Sequence, residues 1–185
     1  MNKTYQTKLH RIFLISELPE PLKRSSSHLQ ISDNYIVNTR LRIRSMRSPE
    51  TNKRTFFLQQ RFPVGEDYSH WKISEIYLNE VEHALFERFE GRELRRNRYY
   101  FDLDGRQIEI DVFLGELWGL IIAKACFETE KDFEDFEIPP FAIAEITHNP
   151  FFFGENFIGK HYQEIQAEFM RMNETNQIIL NENDE

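Results

Sequence analysis

Eight stretches of this chain alternate apolar and polar residues with a period of two: LHRIFLI, HLQISDNYIV, TRLRIRSMR, RTFFLQQRF, HWKISEIYL, RRNRYYFDL, RQIEIDVFL and LIIAKACFE. Such alternation puts successive side chains on opposite faces of a strand. In TRLRIR, therefore, Arg40, Arg42 and Arg44 share one face while Leu41 and Ile43 take the other. Glu109 and Asp111 oppose Ile108, Ile110 and Val112, Arg96 and Arg98 align with Tyr100, Gln59 aligns with Arg61, and Lys124 lies with Ile122 and Cys126. A single charged face on an antiparallel strand normally meets water. Five long strands of this kind leave two architectures, a sheet solvated along its whole polar side or a barrel with the polar face turned inward. Lys124 sharpens the choice, because an ammonium flanked by Ile121, Ile122, Ala123 and Ala125 cannot stay unpaired in a core.

The rest of the chain is consistent with one α+β domain. RSPETNK and DLDG supply turn residues between strands. Helical patterning is confined to 79–90, with Asn79 as N-cap, to 155–171, and to a short acidic segment near 129–135. At 185 residues the chain can bury a core without staples. We expect a single domain over 1–172 and a disordered, Asn-rich and acidic tail over 173–185. One cysteine excludes a disulfide framework and fits a cytoplasmic location. The apolar run near the start, in MNKTYQTKLHRIFLI, is too short for a signal peptide or membrane anchor. A net charge of −8 argues against general nucleic-acid binding, yet Arg40, Arg42, Arg44, Arg47, Lys53, Arg54 and Arg61 concentrate positive charge in one region. A basic interior inside an acidic shell produces that distribution.

Three segments, YIVNTRLRIR, RNRYYFDLDGRQIEIDVFLGELWGL and PPFAIAEITHNPFFFG, resemble the CYTH family of triphosphate tunnel enzymes, which includes class IV adenylate cyclases and inorganic and thiamine triphosphatases. Arg98, Glu109, Asp111, Phe113, Gly115, Gly119, Leu120, Glu145, Ile146 and Thr147 stand where that family has a basic residue, E-x-D-x-F, G-x-x-x-G-L and a closing E-V-T. The resemblance covers most of residues 8–165. It implies a closed eight-stranded antiparallel barrel with helices outside, whose basic lumen grips a triphosphate and whose glutamates hold a divalent metal. Carboxylates approach a polyphosphate only through a bridging cation, whereas arginine forks approach directly.

The departures from the family pattern are as informative. Its opening E-x-E-x-K is replaced by Lys8, His10 and Ile12 in KLHRIF. Its later A-E-x-E-F strand reads AKACF, with Lys124 and Cys126 for the two acids, and Lys72 and Ser74 stand near further acidic positions. The resemblance thus implies phosphate contacts from Arg40, Arg42, Arg44, Arg61, Arg98 and Lys124, with Lys72 also on the inner wall. Glu109, Asp111 and Glu145 would either orient the arginines or serve as residual metal ligands. The expected ligand is a phosphorylated small molecule, nucleotide or polyphosphate, bound with catalysis lost or weak. The alternative is a triphosphatase dependent on Mg²⁺ or Mn²⁺, with adenylate cyclase activity ranking below it. His10 and Cys126 alone make a poor zinc site. Cys126 lacks an assignable base, so a buried small residue is expected there.

Overall fold

The computed structural model describes residues 5–183, with side chains as far as Glu174. Nine strands form one sheet: β1 (Gln6–Ile15), β2 (Leu29–Ile36), β3 (Leu41–Arg47), β4 (Arg54–Val64), β5 (Asp67–Leu78), β6 (Gly91–Leu103), β7 (Arg106–Phe113), β8 (Ile121–Phe127) and β9 (Ala142–Glu145). Their order is β5-β4-β3-β2-β6-β7-β8-β1-β9, and a further β5–β1 pairing closes the first eight into an antiparallel barrel. All eight alternating stretches of the sequence are therefore barrel strands. Strand β1 makes the closure. It pairs with β8 along Leu9–Ile15, while its opposite edge takes β5 at Gln6–Leu9 and β9 at Phe13–Ile15.

Local chemistry fixes several connections. Between β6 and β7, Asp104 and Gly105 adopt φ values of 52° and 83°, and the Gly105 amide donates to the Asp102 side chain at 3.0 Å. Two consecutive positive-φ residues in a two-residue loop suit the right-handed twist of a hairpin, and Asp-Gly tolerates them best. Helix α1 (Glu80–Phe86) begins at Asn79, the N-cap the sequence indicates, in a reciprocal cap with Glu82, and ends short of the expected residue 90. Helix α2 (Glu130–Glu134) is the short acidic segment, capped by Thr129.

The apolar faces of the strands point out of the barrel. Phe13, Tyr99, Ile108, Ile110, Ala123 and Ala125 are buried there beneath the 16–24 and 133–142 segments. A second cluster, with Leu14, Leu94, Phe113, Ile122, Phe152, Phe157 and Ile165, closes one end of the barrel. The helix expected over 155–171 starts only at Tyr162. Its first part is instead short 3₁₀ turns that press Phe152 and Phe157 onto the barrel end, and Gly159 at φ 77° separates the two. Helix α3 (Tyr162–Asn183) then carries the expected tail as helical backbone as far as Asn183. No helix among the described residues is long and apolar enough to cross a membrane.

Candidate functional site

The inward faces of the strands enclose a cavity of ≈ 180 Å³. Lys8, His10 and Ile12 reach it from β1, Arg42 and Arg44 from β3, and Gln59 and Arg61 from β4. Trp71, Ile73 and Glu75 come from β5, Arg96 and Arg98 from β6, Glu109 and Asp111 from β7, and Lys124 and Cys126 from β8. Phe152, Phe153 and Phe157 line its closed end, whereas Lys8 and Cys126 are exposed, so the cavity opens beside them.

Asp33 of β2 lies at the centre of the buried charge. It is fully buried and accepts hydrogen bonds from three arginines: Arg42 Nη1 at 3.2 Å, Arg44 Nε at 2.6 Å and Nη2 at 2.8 Å, and Arg96 Nη1 at 2.9 Å. Arg96 also donates from Nε to Asp111 at 2.8 Å. Arg98 grips the same carboxylate from Nε and Nη2, both at 2.7 Å, and reaches Glu109 at 2.7 Å. Lys124 Nζ meets Glu109 Oε2 at 2.5 Å. The ion pairs thus set five cations against three carboxylates. Arg42 is further held by Gln59 at 2.6 Å and the Tyr35 hydroxyl at 3.1 Å, and Gln59 in turn donates to Glu75.

These neighbours set the protonation states. Burial alone would raise the carboxylates, but guanidinium and ammonium partners reverse that. Asp33 is held well below its ordinary range by Arg42, Arg44 and Arg96. Asp111 is lowered by Arg98 and Arg96, and Glu109 falls to about 2 beside Lys124 and Arg98. His10, by contrast, is held well below its ordinary value by burial and by Lys124 and Arg61.

Arg61 stands apart from the network. Its guanidinium lies 4.1 Å from the Trp71 ring centroid and 3.6 Å from the Glu155 carboxylate, and its buried Nε has no hydrogen-bond acceptor. A buried unpaired donor of this kind costs about 1–3 kcal/mol unless something fills the space before it.

Of the residues expected at the site, Arg42, Arg44, Arg61, Arg98, Lys124, Glu109 and Asp111 meet in the lumen, together with Lys8, His10, Ile12 and Cys126. Four do not. Arg40 precedes β3, is exposed, and stacks over Phe62 at 4.8 Å. Lys72 and Ser74 lie on the opposite face of β5 from the lining residues Trp71, Ile73 and Glu75. This strand inverts the polar-in rule because its lumen face packs on the closing aromatics, with Trp71 and Phe153 rings 5.2 Å apart. Glu145 sits on β9, outside the ring of eight, where it accepts from Arg11 at 2.9 and 2.5 Å and from the Thr147 hydroxyl at 2.7 Å. Cys126 is exposed at the opening, where a buried residue was expected. Asp33 and Glu75 are the acids that sequence reasoning missed.

No protein-family model and no curated protein matches the sequence. Solved structures do match. Two crystal structures of NE1496, one described as a hypothetical protein and the other as an inorganic triphosphatase, superpose with TM-scores of 0.55 and 0.56. Identity is 20 % in both cases, over 83 % of this chain and 99 % and 95 % of those chains. The fold is the CYTH-like triphosphate tunnel.

A tunnel of this kind is expected to hold a divalent ion, and the residues present here do not fit one. Both Asp111 oxygens are occupied by Arg96 and Arg98, Glu109 Oε2 is shared between Arg98 and Lys124, and Asp33 is saturated by three guanidiniums. Among the described residues, no three of the His, Cys, Asp and Glu side chains are grouped to coordinate a metal. Mg²⁺ needs near-octahedral oxygen ligands, and here Asp33, Glu109 and Asp111 already face fixed cations, while Glu75 accepts from the Gln59 amide.

Proposed function

We propose that this tunnel binds a phosphorylated anion through its fixed cations, without a divalent metal, and that metal-dependent catalysis has been lost. The observation that carries the reading is the imbalance around Asp33, Glu109 and Asp111, where five cations meet three carboxylates. Arg61 adds a guanidinium whose Nε lacks an acceptor. An anion that reaches Arg61, Lys124 and the mouth residue Lys8 offsets this excess, and arginine forks suit phosphoryl oxygens in particular. The ligand class is a short polyphosphate, a nucleotide or another phosphorylated metabolite.

A second reading follows from the fold shared with NE1496, described as an inorganic triphosphatase. It makes this protein a hydrolase that rebuilds a metal site from Glu109 and Asp111. Glu145, its third acid, is bound to Arg11 outside the barrel, which weakens that reading. Cyclase chemistry needs the same ligands and ranks lower.

Isothermal titration with tripolyphosphate, in excess EDTA and then in Mg²⁺, separates the two. Binding of equal strength under both conditions supports the metal-free tunnel; binding that requires Mg²⁺ contradicts it. Phosphate release in Mg²⁺ or Mn²⁺ that disappears in Asp111→Ala establishes the hydrolase.

A further inference from the structure

We infer that an oxyanion seated in this tunnel is bound together with a proton, which His10 takes up. The inference rests on the anion-binding reading above and assigns His10 as part of the seat. His10 projects from β1 into the lumen, is only 8 % exposed, and is the cross-strand neighbour of Cys126. Its ring lies 6.3 Å from that of Trp71, and among the described residues no hydrogen bond or ion pair reaches either nitrogen. An imidazole that lines a cavity with no protein partner leaves its ring nitrogens free to meet a bound group there.

Its surroundings decide which form it takes. Lys124 and Cys126 face it from β8, Arg61 from β4, Trp71 from β5, Glu109 from β7, and Lys8 from its own strand, while Glu75 lines the same cavity farther along β5 and His70 acts on it from the outer face of β5. The acid facing it, Glu109, is already bound to Arg98 and Lys124. His70 is itself biased toward its charged form by hydrogen bonds to Glu130 and Asp67. A further cation among these is therefore opposed, and burial with Lys124 and Arg61 keeps His10 neutral at pH 7. A multiply charged tetrahedral oxyanion beside Arg61 and Lys124 reverses the local field. An opposite charge within about 4–6 Å favours the charged form of an imidazole. The proton then supplies, inside the seat, positive charge that a metal ion would otherwise bring. Cys126 and Lys8 mark the entrance through which the anion reaches it.

The oxyanion could be the end of a polyphosphate chain or a free tetrahedral ion, so tripolyphosphate and sulfate are titrated in parallel. Calorimetry at pH 7 in two buffers of different ionisation enthalpy counts the protons taken up. Wild type is expected to take up more protons with tripolyphosphate than His10→Asn, while His70→Asn matches wild type. The His10 ring resonances of the unmutated protein should move to the imidazolium position on addition of tripolyphosphate, which needs no variant to fold. Uptake with sulfate as well marks a seat for a single oxyanion, and uptake with tripolyphosphate alone marks a seat for a chain end. Tripolyphosphate binding with equal proton counts in wild type and His10→Asn, and an unmoved His10 resonance, overturns the inference and leaves the anion reading standing. Failure of tripolyphosphate to bind at all overturns both.

Discussion

Asp33→Asn is the most informative single change, because it removes a fully buried carboxylate from three guanidiniums while keeping side-chain volume. The wild-type carboxylate accepts four contacts of 2.6–3.2 Å from Arg42, Arg44 and Arg96. Hydrogen bonds to charged groups contribute about 1.5–3 kcal/mol each, and removing one partner of a buried ion pair costs about 3–5 kcal/mol. The three arginines would then repel one another, at roughly 3 kcal/mol for a pair of charges about 5 Å apart at an effective dielectric near 20. Relaxation and water entry offset part of this. We therefore expect a loss of about 4 kcal/mol, or about 8–16 °C in Tm at the 2–4 °C per kcal/mol typical of a domain this size. Differential scanning calorimetry measures it directly. Adding tripolyphosphate should restore more of the Tm in Asp33→Asn than it adds to wild type, because the variant has more uncompensated positive charge to satisfy. A fall in Tm of less than about 3 °C would refute the view that Asp33 neutralises the arginine cluster.

Other expectations follow from the same network. Arg61→Gln and Lys124→Ala should each weaken tripolyphosphate binding by about tenfold or more, the equivalent of one charged hydrogen bond, as read by titration calorimetry. Glu109, Asp33 and Asp111 are all lowered in the folded protein. Their contribution to stability is thus complete above the ordinary carboxylate range and is lost as pH falls through it, for Glu109 toward about 2. Urea midpoints measured from pH 6 to pH 2 should decline across that window, and Glu109→Gln should flatten part of the decline. His10 acts in the same direction at higher pH. Because its folded form resists protonation, stability should fall as pH drops below its ordinary value near 6.5, and His10→Asn should remove that slope.

The barrel was legible in the sequence because period-two alternation fixes which face each residue takes, and eight such stretches with charged faces need either water or closure. The shared face of Arg42, Arg44, Arg98, Glu109, Asp111 and Lys124 follows from that parity, and the resemblance to tunnel enzymes turned that face inward. Asp33 escaped notice because it sits among Ser32 and Asn34, which made the stretch look solvated. The signal was its parity with Tyr35 and its pairing opposite Arg44 on the neighbouring strand, a register that one strand's sequence does not reveal. Lys72 and Ser74 were misplaced because polarity was taken to point inward everywhere, whereas β5 turns Trp71 toward the aromatic plug. Glu145 kept its motif but lies on a four-residue strand too short for periodicity to assign a face, and a tertiary partner, Arg11, determines its role.

The central claim is that fixed side-chain cations replace a divalent ion in this tunnel. Crystals grown with tripolyphosphate and Mn²⁺, measured at the manganese absorption edge, test it most directly. We expect tripolyphosphate density among Arg61, His10 and Lys124 with no anomalous peak inside the barrel. A manganese peak within coordinating distance of Glu109 or Asp111 would contradict it.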